Sequence, residues 1–312
     1  MRGFVLAAGL GTRLRPITDH IPKALISVAG MPLLERALSF LDMQGITDIG
    51  VNSHHLADQV ALFRAKSSVP FSLFHEKETI RGTGGGLYHA RDFLDRDELF
   101  FVCNVDIVYT FDLKPIVAQF LKTGWRCGLL AVPVRGNGTM YYDPESRLYA
   151  GVPADTPEPG NSAQAAFIGA ALYRREFLKI LLSGDFSIVP VWKRMREQGL
   201  GIGVCTVEKG FWRDIGTPES LAAVHFDLLD GKTALEVPDS LRIDRARKRC
   251  HPIRLPERLK SCLGRYSWVE TSDLPEKCRI SYSIVYANAP IKTAEKIERR
   301  IITPFCEVTF GK

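Results

Sequence analysis

The sequence has no apolar run of roughly 18 residues or more, so no segment reads as a membrane-spanning helix. The N-terminus enters an apolar stretch after Met1, Arg2 and Gly3, as a secretory leader would. "LAAGLGTRLRP" breaks that stretch after too few residues, and the chain is read as cytoplasmic. Cysteine is sparse: seven residues, odd in number, scattered and never spaced C-x-x-C. That excludes a disulfide framework and a structural zinc site. The seven histidines show no metal-ligand spacing, and the adjacent His54 and His55 suit a loop better than a metal. No Ser/His/Asp or Cys/His arrangement points to a covalent nucleophile.

What is present is a chain of 312 residues, 46% hydrophobic and 24% charged. It exceeds the roughly 250–300 residues at which single cores stop growing, which implies a large domain with a smaller appendage. The expected division is a catalytic-size domain over 1–232 and a basic linker with a C-terminal domain over 233–312. Residues 239–266 hold nine Lys/Arg against Asp239, Asp244 and Glu257, and so carry the whole net charge of +6. The stretch has one aromatic residue, Tyr266, and no nucleic-acid motif. It reads as a solvated or subunit-facing surface, with no nucleic-acid partner.

Strand-like and helix-like stretches alternate. "GFVLA" (3–7) reads as a strand, and "MPLLERALSFLDMQG" (31–45) as a helix with Leu34, Leu38 and Leu41 at helical spacing. Strands follow at 48–53, 71–76, 99–106 and 126–134, helices at 57–66, 85–94 and 113–124. Such alternation predicts a doubly wound, mostly parallel, Rossmann-like α/β sheet, whose ligands sit at the carboxyl ends of strands. "ADTPEPGNSAQ" (154–164) reads as an exposed loop, with order resuming at a strand over 165–173. Thr217 and Pro218 start a helix as N-cap and first helical residue. In the tail, residues 279–291 align with 296–308 at a period of 17: Ile280 on Ile297, Ile284 on Ile301, Val285 on Ile302, Ile291 on Val308. Leu263, Trp268 and Leu274 match one period earlier. This predicts a degenerate, left-handed β-helix-like extension.

The chemistry concentrates where the first strand ends. Gly9 and Gly11 form a G-x-G loop followed by Thr12 and Arg13, with Pro22-Lys23 ten residues on. Glycines let backbone N–H groups approach phosphate. The spacing is neither a Walker loop nor a dinucleotide G-x-G-x-x-G, because position 14 is leucine. Two cations beyond a flexible loop suit a triphosphate held around a reacting α-phosphorus.

The run "LAAGLGTRLRP…PKAL" resembles the N-terminal signature of the sugar-1-phosphate nucleotidyltransferases, and the likeness extends over about residues 1–230. "RGTGGGLYHA" (81–90), "NVD" (104–106) and "GFWRDIGTPESL" (210–221) are similar to three further family elements, in the family's order. The resemblance implies an enzyme that transfers a nucleotidyl group from an NTP to a sugar 1-phosphate, releasing pyrophosphate, with Mg²⁺ held by Asp106 and Asp214. It implies a nucleotide site of Leu6, Ala7, Ala8, Gly9, Gly11, Thr12, Arg13, Lys23, Gly82, Thr83 and Gly84, with Arg13 and Lys23 neutralising the triphosphate. It implies a sugar-phosphate site of Asn104, Gly138, Gly169 and Trp212.

The sequence departs from hexose-1-phosphate members in lacking a Glu-Lys-Pro stretch near 145–160 and in having Phe167 where they place asparagine. The bacterial branch acting on N-acetylmuramate 1-phosphate, serving cell-envelope nucleotide-sugar synthesis, resembles it more closely but usually ends near residue 230. Mannose- or heptose-1-phosphate guanylyltransferases more often carry a β-helix-like tail. UTP is favoured over GTP. A catalytically silent regulatory subunit is the contrasting possibility, and the C-terminal domain is a candidate surface for homo-oligomers.

Overall fold

The computed structural model describes residues 1–154, 159–293 and 295–311. Part of the predicted 154–164 loop, at 155–158, lies outside them. The chain divides into two compact units: Met1–Gly9 with Ala37–Trp212, and Leu10–Arg36 with Arg213–Lys312. Both are discontinuous, unlike a single cut between 232 and 233.

The first unit is built on a nine-stranded sheet. Its strands are β1 (Arg2–Leu6), β2 (Ile49–Ser53), β3 (Ser72–His75), β4 (Leu99–Asn104), β5 (Cys127–Val134), β6 (Met140–Tyr142), β7 (Tyr149–Gly151), β8 (Ala163–Arg174) and β9 (Ile202–Thr206). The order is β7-β6-β8-β4-β1-β2-β3, with β5 pairing to β8 and β9 pairing to β5. The run β3-β2-β1-β4 is parallel throughout, as expected for strands joined through helices. The other half corrects the mostly parallel expectation. Strand β8 returns through the short β6 and β7 and runs antiparallel to β4, β5 and β6, so the sheet is mixed.

The helices of this region include α1 (Leu33–Met43), α2 (Ala57–Arg64), α3 (Gly82–His89), α4 (Lys114–Leu121) and α5 (Ile188–Glu197). In α1 the predicted Leu34, Leu38 and Leu41 are all buried. A left-handed Gly45 follows two residues after its end. Core aromatics join β4, β8 and α5: Phe100 stacks on Tyr173 at 5.3 Å, and Phe167 meets Trp192 edge-on at 5.3 Å.

The second unit holds α6 (Pro218–Leu229) and the C-terminal strands β10 (Leu241–Asp244), β11 (Arg249–Pro252), β12 (Ser267–Val269), β13 (Arg279–Ser281), β14 (Ser283–Val285), β15 (Lys296–Glu298), β16 (Arg300–Ile302) and β17 (Glu307–Thr309). Helix α6 starts as predicted: Thr217 caps it, Ser220 closes a capping box and Pro218 opens the helix. The 17-residue repeat is a stacking register. Ile280 lies opposite Ile297, Ile284 opposite Ile301 and Val285 opposite Ile302, all parallel. One coil earlier Leu263 lies opposite Ile280 at the same spacing of 17, whereas Trp268 lies opposite Ile284, at 16. The match of Ile291 with Val308 fails, because β17 turns back antiparallel and places Val308 beside Ile301.

Residues 10–36 are fastened to this unit by buried polar contacts. His225 of α6 accepts the Ala29 N–H on Nε2 at 3.0 Å and faces the Leu221 carbonyl through Nδ1 at 2.7 Å. The Tyr286 hydroxyl donates to the Ser27 carbonyl at 2.6 Å. Part of the basic stretch is paired within the unit: Lys248 pairs with Asp230, Arg247 and Arg249 with Asp244, Lys260 with Glu257.

Candidate active site

In the first unit the expected residues gather at the carboxyl ends of adjacent parallel strands. Leu6 lies in register with Asn104, and the Val105 N–H donates to the Leu6 carbonyl at 3.1 Å. The loop Ala7–Gly9 and the Asn104–Asp106 tip are therefore neighbours. Leu6, Thr83, Asn104 and Gly169 line one cavity of about 60 Å³, with Phe167 and Trp192 completing an aromatic wall. Gly169 is there for a reason of shape. It sits at φ +68 where the β5–β8 register slips, and a Cβ on it would come 3.0 Å from Asn104 Nδ2. The Tyr109 hydroxyl lies 3.1 Å from the carbonyls of both Ile168 and Gly169 and holds the bulge.

The glycine-rich segment is helical, as expected from residue 85, but the helix starts three residues earlier. Gly82–His89 form α3, despite a cost of roughly 1 kcal/mol per glycine relative to alanine. The physical reason is close approach. A Cβ on Gly84 would lie 2.7 Å from the Asp185 carbonyl oxygen, and the Gly84 N–H donates to the Phe186 carbonyl at 3.0 Å. Thr83 Oγ1 accepts the Ile188 N–H at 2.8 Å, docking α5 on the same segment.

Gly138 and Trp212 stand apart from the cavity. Gly138 donates its N–H to Gln164 Oε1 at 2.9 Å. Trp212 follows Phe211, which exchanges hydrogen bonds of 2.9 Å with Thr110, beyond the Asp106 tip.

The second unit holds the cationic residues. Gly11 is left-handed at φ +64, and its carbonyl accepts from Thr18 Oγ1 at 2.9 Å. Thr12 and Arg13 lie in the 3₁₀ turn that follows, while Lys23 is buried at the start of another. A Cβ on Gly216 would come within 2.5 Å of Arg13 Nη2 and 2.6 Å of Asp214 Oδ1, so these two predicted residues converge there. Arg15 is occupied by an ion pair with Asp19 at 3.1 Å. Among the described residues, no group of three or more His, Cys, Asp or Glu side chains could hold a metal ion.

Sequence reasoning missed Asn52, Glu76 and Gly216. The first two are buried polar residues in no motif, and Gly216 sits in a recognised motif without any sign of what it makes room for.

Comparison with known proteins bears on the same residues. The nucleotidyl transferase family profile matches residues 2–142. An N-acetylmuramate alpha-1-phosphate uridylyltransferase of Caulobacter vibrioides is 30% identical over 239 residues, covering 73% of this chain and 96% of the relative. The chain belongs to the sugar-1-phosphate nucleotidyltransferase family. Its relatives in that family differ in sugar and base. A mannose-1-phosphate guanylyltransferase catalytic subunit beta of Danio rerio is 29% identical over 70% of this chain, which spans only 62% of that relative's length. The crystal structure of HddC from Yersinia pseudotuberculosis, complexed with GMP-PN, shares the fold with a TM-score of 0.59. It is 21% identical and covers 72% of this chain and 98% of HddC. As a sugar-1-phosphate nucleotidyltransferase the chain is an enzyme of the 2.7.7 class. No helix among the described residues is long and apolar enough to cross a membrane.

Proposed function

We propose that this enzyme transfers a uridylyl group from UTP to a sugar 1-phosphate, with N-acetylmuramate 1-phosphate the favoured acceptor and cell-envelope precursor synthesis in the cytoplasm its setting. The observation that carries the site assignment is the convergence of Leu6, Thr83, Asn104 and Gly169 on one cavity beside the Ala7–Gly9 loop. Gly9 supports it: a Cβ there would meet nothing within 4 Å, so the chain's own packing does not demand glycine, whereas a ligand against the loop would. The relative from Caulobacter vibrioides favours uridine and the muramate sugar.

In this reading, backbone groups of Leu6–Gly9 and of Gly82–Gly84 frame the nucleoside. Gly11, Thr12, Arg13 and Lys23 receive the triphosphate. Asn104 and Gly169, which line the cavity, and Gly138 and Trp212, outside it, are assigned to the sugar phosphate. The acceptor phosphate has a second pKa of about 6 and is mostly dianionic at neutral pH, so its oxygen attacks the α-phosphorus in line without a general base. Arg13 and Lys23 offset the charge gathering on the α-phosphate and on departing pyrophosphate. Asp106 and Asp214 are assigned to Mg²⁺, whose preference is for hard carboxylate oxygens, and substrate oxygens and water would complete its shell. When bound, the ion supplies charge neutralisation at the transferred phosphate.

Residues 1–232 are assigned to catalysis. The stacked coils beyond are assigned as a degenerate left-handed β-helix through which copies of the chain associate. Incubation with UTP and N-acetylmuramate 1-phosphate, followed by chromatography and mass spectrometry, is expected to yield the UDP-sugar. Formation of a GDP-sugar from mannose or heptose 1-phosphate instead would replace the substrate assignment.

A further inference from the structure

Asn52, at the carboxyl-terminal part of β2, and Glu76, just beyond β3, are buried, at 2% and 0% exposure. Asn52 Oδ1 accepts the Ala7 N–H at 2.6 Å and the Ala8 N–H at 3.3 Å. Its Nδ2 donates to Glu76 Oε1 at 2.8 Å. Glu76 Oε2 in turn accepts the N–H of Arg81, the residue that caps α3, at 2.7 Å. Two side chains thus connect the Ala7–Ala8 amides to the start of α3 in an unbroken line of hydrogen bonds.

The line is held on all sides. The Glu76 N–H donates to the Ser53 carbonyl at 2.8 Å, and His54 Nδ1 lies 2.7 Å from the Glu76 carbonyl. Helix α3 lies directly over the pair: a Cβ on Gly86 would come 2.8 Å from Asn52 Nδ2 and 3.4 Å from Glu76 Oε1. Among the described residues Glu76 has no ion pair. A buried carboxylate without a cation is costly unless its oxygens are filled, and here each oxygen receives one N–H near the positive end of α3. Glutamine could accept at only one of the two positions, so the charge has a geometric use.

We infer that Asn52 and Glu76 are positioning residues for the nucleotide, fixing the spacing between the Ala7–Ala8 amides and the N-terminus of α3. The inference rests on assigning those two segments to the nucleotide, as proposed above.

The decisive variant is Asn52→Asp. It keeps the acceptor for Ala7 and Ala8 but replaces the amide donor with a second carboxylate against Glu76. Two carboxylates at hydrogen-bond distance share one proton, and the apparent pKa of the pair rises. At low pH that proton stands in for the lost N–H, and at high pH the pair repels. The KM for UTP in Asn52→Asp is expected near wild type around pH 5.5 and raised about tenfold or more by pH 8, as for loss of one charge-assisted hydrogen bond. The KM for the sugar 1-phosphate and the wild-type pH profile should not follow it. Glu76→Gln should raise the same KM at all pH values. Equal, pH-independent KM values for UTP in both folded variants would overturn the inference. Amide hydrogen exchange separates this from failure of the functional assignment, since it needs no turnover. In Asn52→Ala, exchange should quicken at Ala7, Ala8 and Arg81 together. Quickening confined to Ala7 and Ala8 would overturn the line to α3, even in a protein that proved inactive with every nucleotide.

Discussion

Arg13 Nη2 and Asp214 Oδ1 converge on Gly216, so that a single added methyl would press on both. Gly216 lies outside the positive-φ positions, and the atoms a Cβ would meet are side-chain ends. Gly216→Ala should therefore displace the guanidinium and the carboxylate while changing stability by no more than about 1 kcal/mol. The expected result is a fall in kcat of roughly 10²-fold, the scale of one lost charge-stabilising group, with a thermal melt shifted by no more than about 4 °C. Steady-state kinetics and calorimetry on one preparation check both halves.

Gly84→Ala acts differently, because the added Cβ meets backbone oxygens of Asp185 and Ser187 that cannot rotate away. Helix α3 or the 185–187 segment must move. A stability loss of about 1–3 kcal/mol is expected, the range for overpacking, with a raised KM for the nucleotide. Urea unfolding and substrate titration measure these separately.

The contrast between these two glycines shows what the sequence makes legible. The motif around Gly84 is visible as a glycine cluster and the helix is legible from residue 85, but its start at Gly82 is not, since propensity argues against glycines in a first turn. The reason for that start lies with residues 185–187, remote in sequence. The parallel half of the sheet was legible in the alternation of apolar runs, and the coil register in the 17-residue spacing of Ile280 and Ile297. The antiparallel course of β8 was not, because an apolar strand carries no mark of its direction. Val308 was misplaced for the same reason. Asn52 and Glu76 have neither periodicity nor motif, and only their packing under Gly86 reveals them.

His225 gives the second unit a pH dependence. Complete burial holds its pKa down at about 4, below the ordinary 6.5, and its Nε2 must stay unprotonated to accept the Ala29 N–H. The unfolded chain takes up this proton below about pH 6.5 while the folded chain resists until about 4. Stability from this residue is thus fully present above about 6.5 and is lost as pH falls towards 4, by roughly 3 kcal/mol in total. Denaturant melts between pH 7 and 4 should show that loss, and His225→Gln should flatten it.

Ile284 and Ile301 face each other across the stacked coils and are both 0% exposed. Ile301→Ala should cost about 2–4 kcal/mol, because the rungs above and below leave the cavity no room to collapse. Ile291→Ala, at the partly buried position whose predicted repeat partner pairs elsewhere, should cost clearly less. Paired urea titrations compare the two.

The most direct measurement is pyrophosphate release with Mg²⁺, pairing each of UTP, GTP, CTP, ATP and dTTP with N-acetylmuramate, N-acetylglucosamine, glucose, mannose and heptose 1-phosphates, alongside Asp106→Ala. The expected result is turnover with UTP and N-acetylmuramate 1-phosphate that falls at least about 10³-fold in the variant, which keeps its fold. Silence across the whole panel from a folded wild-type protein, or turnover that survives Asp106→Ala intact, would contradict it.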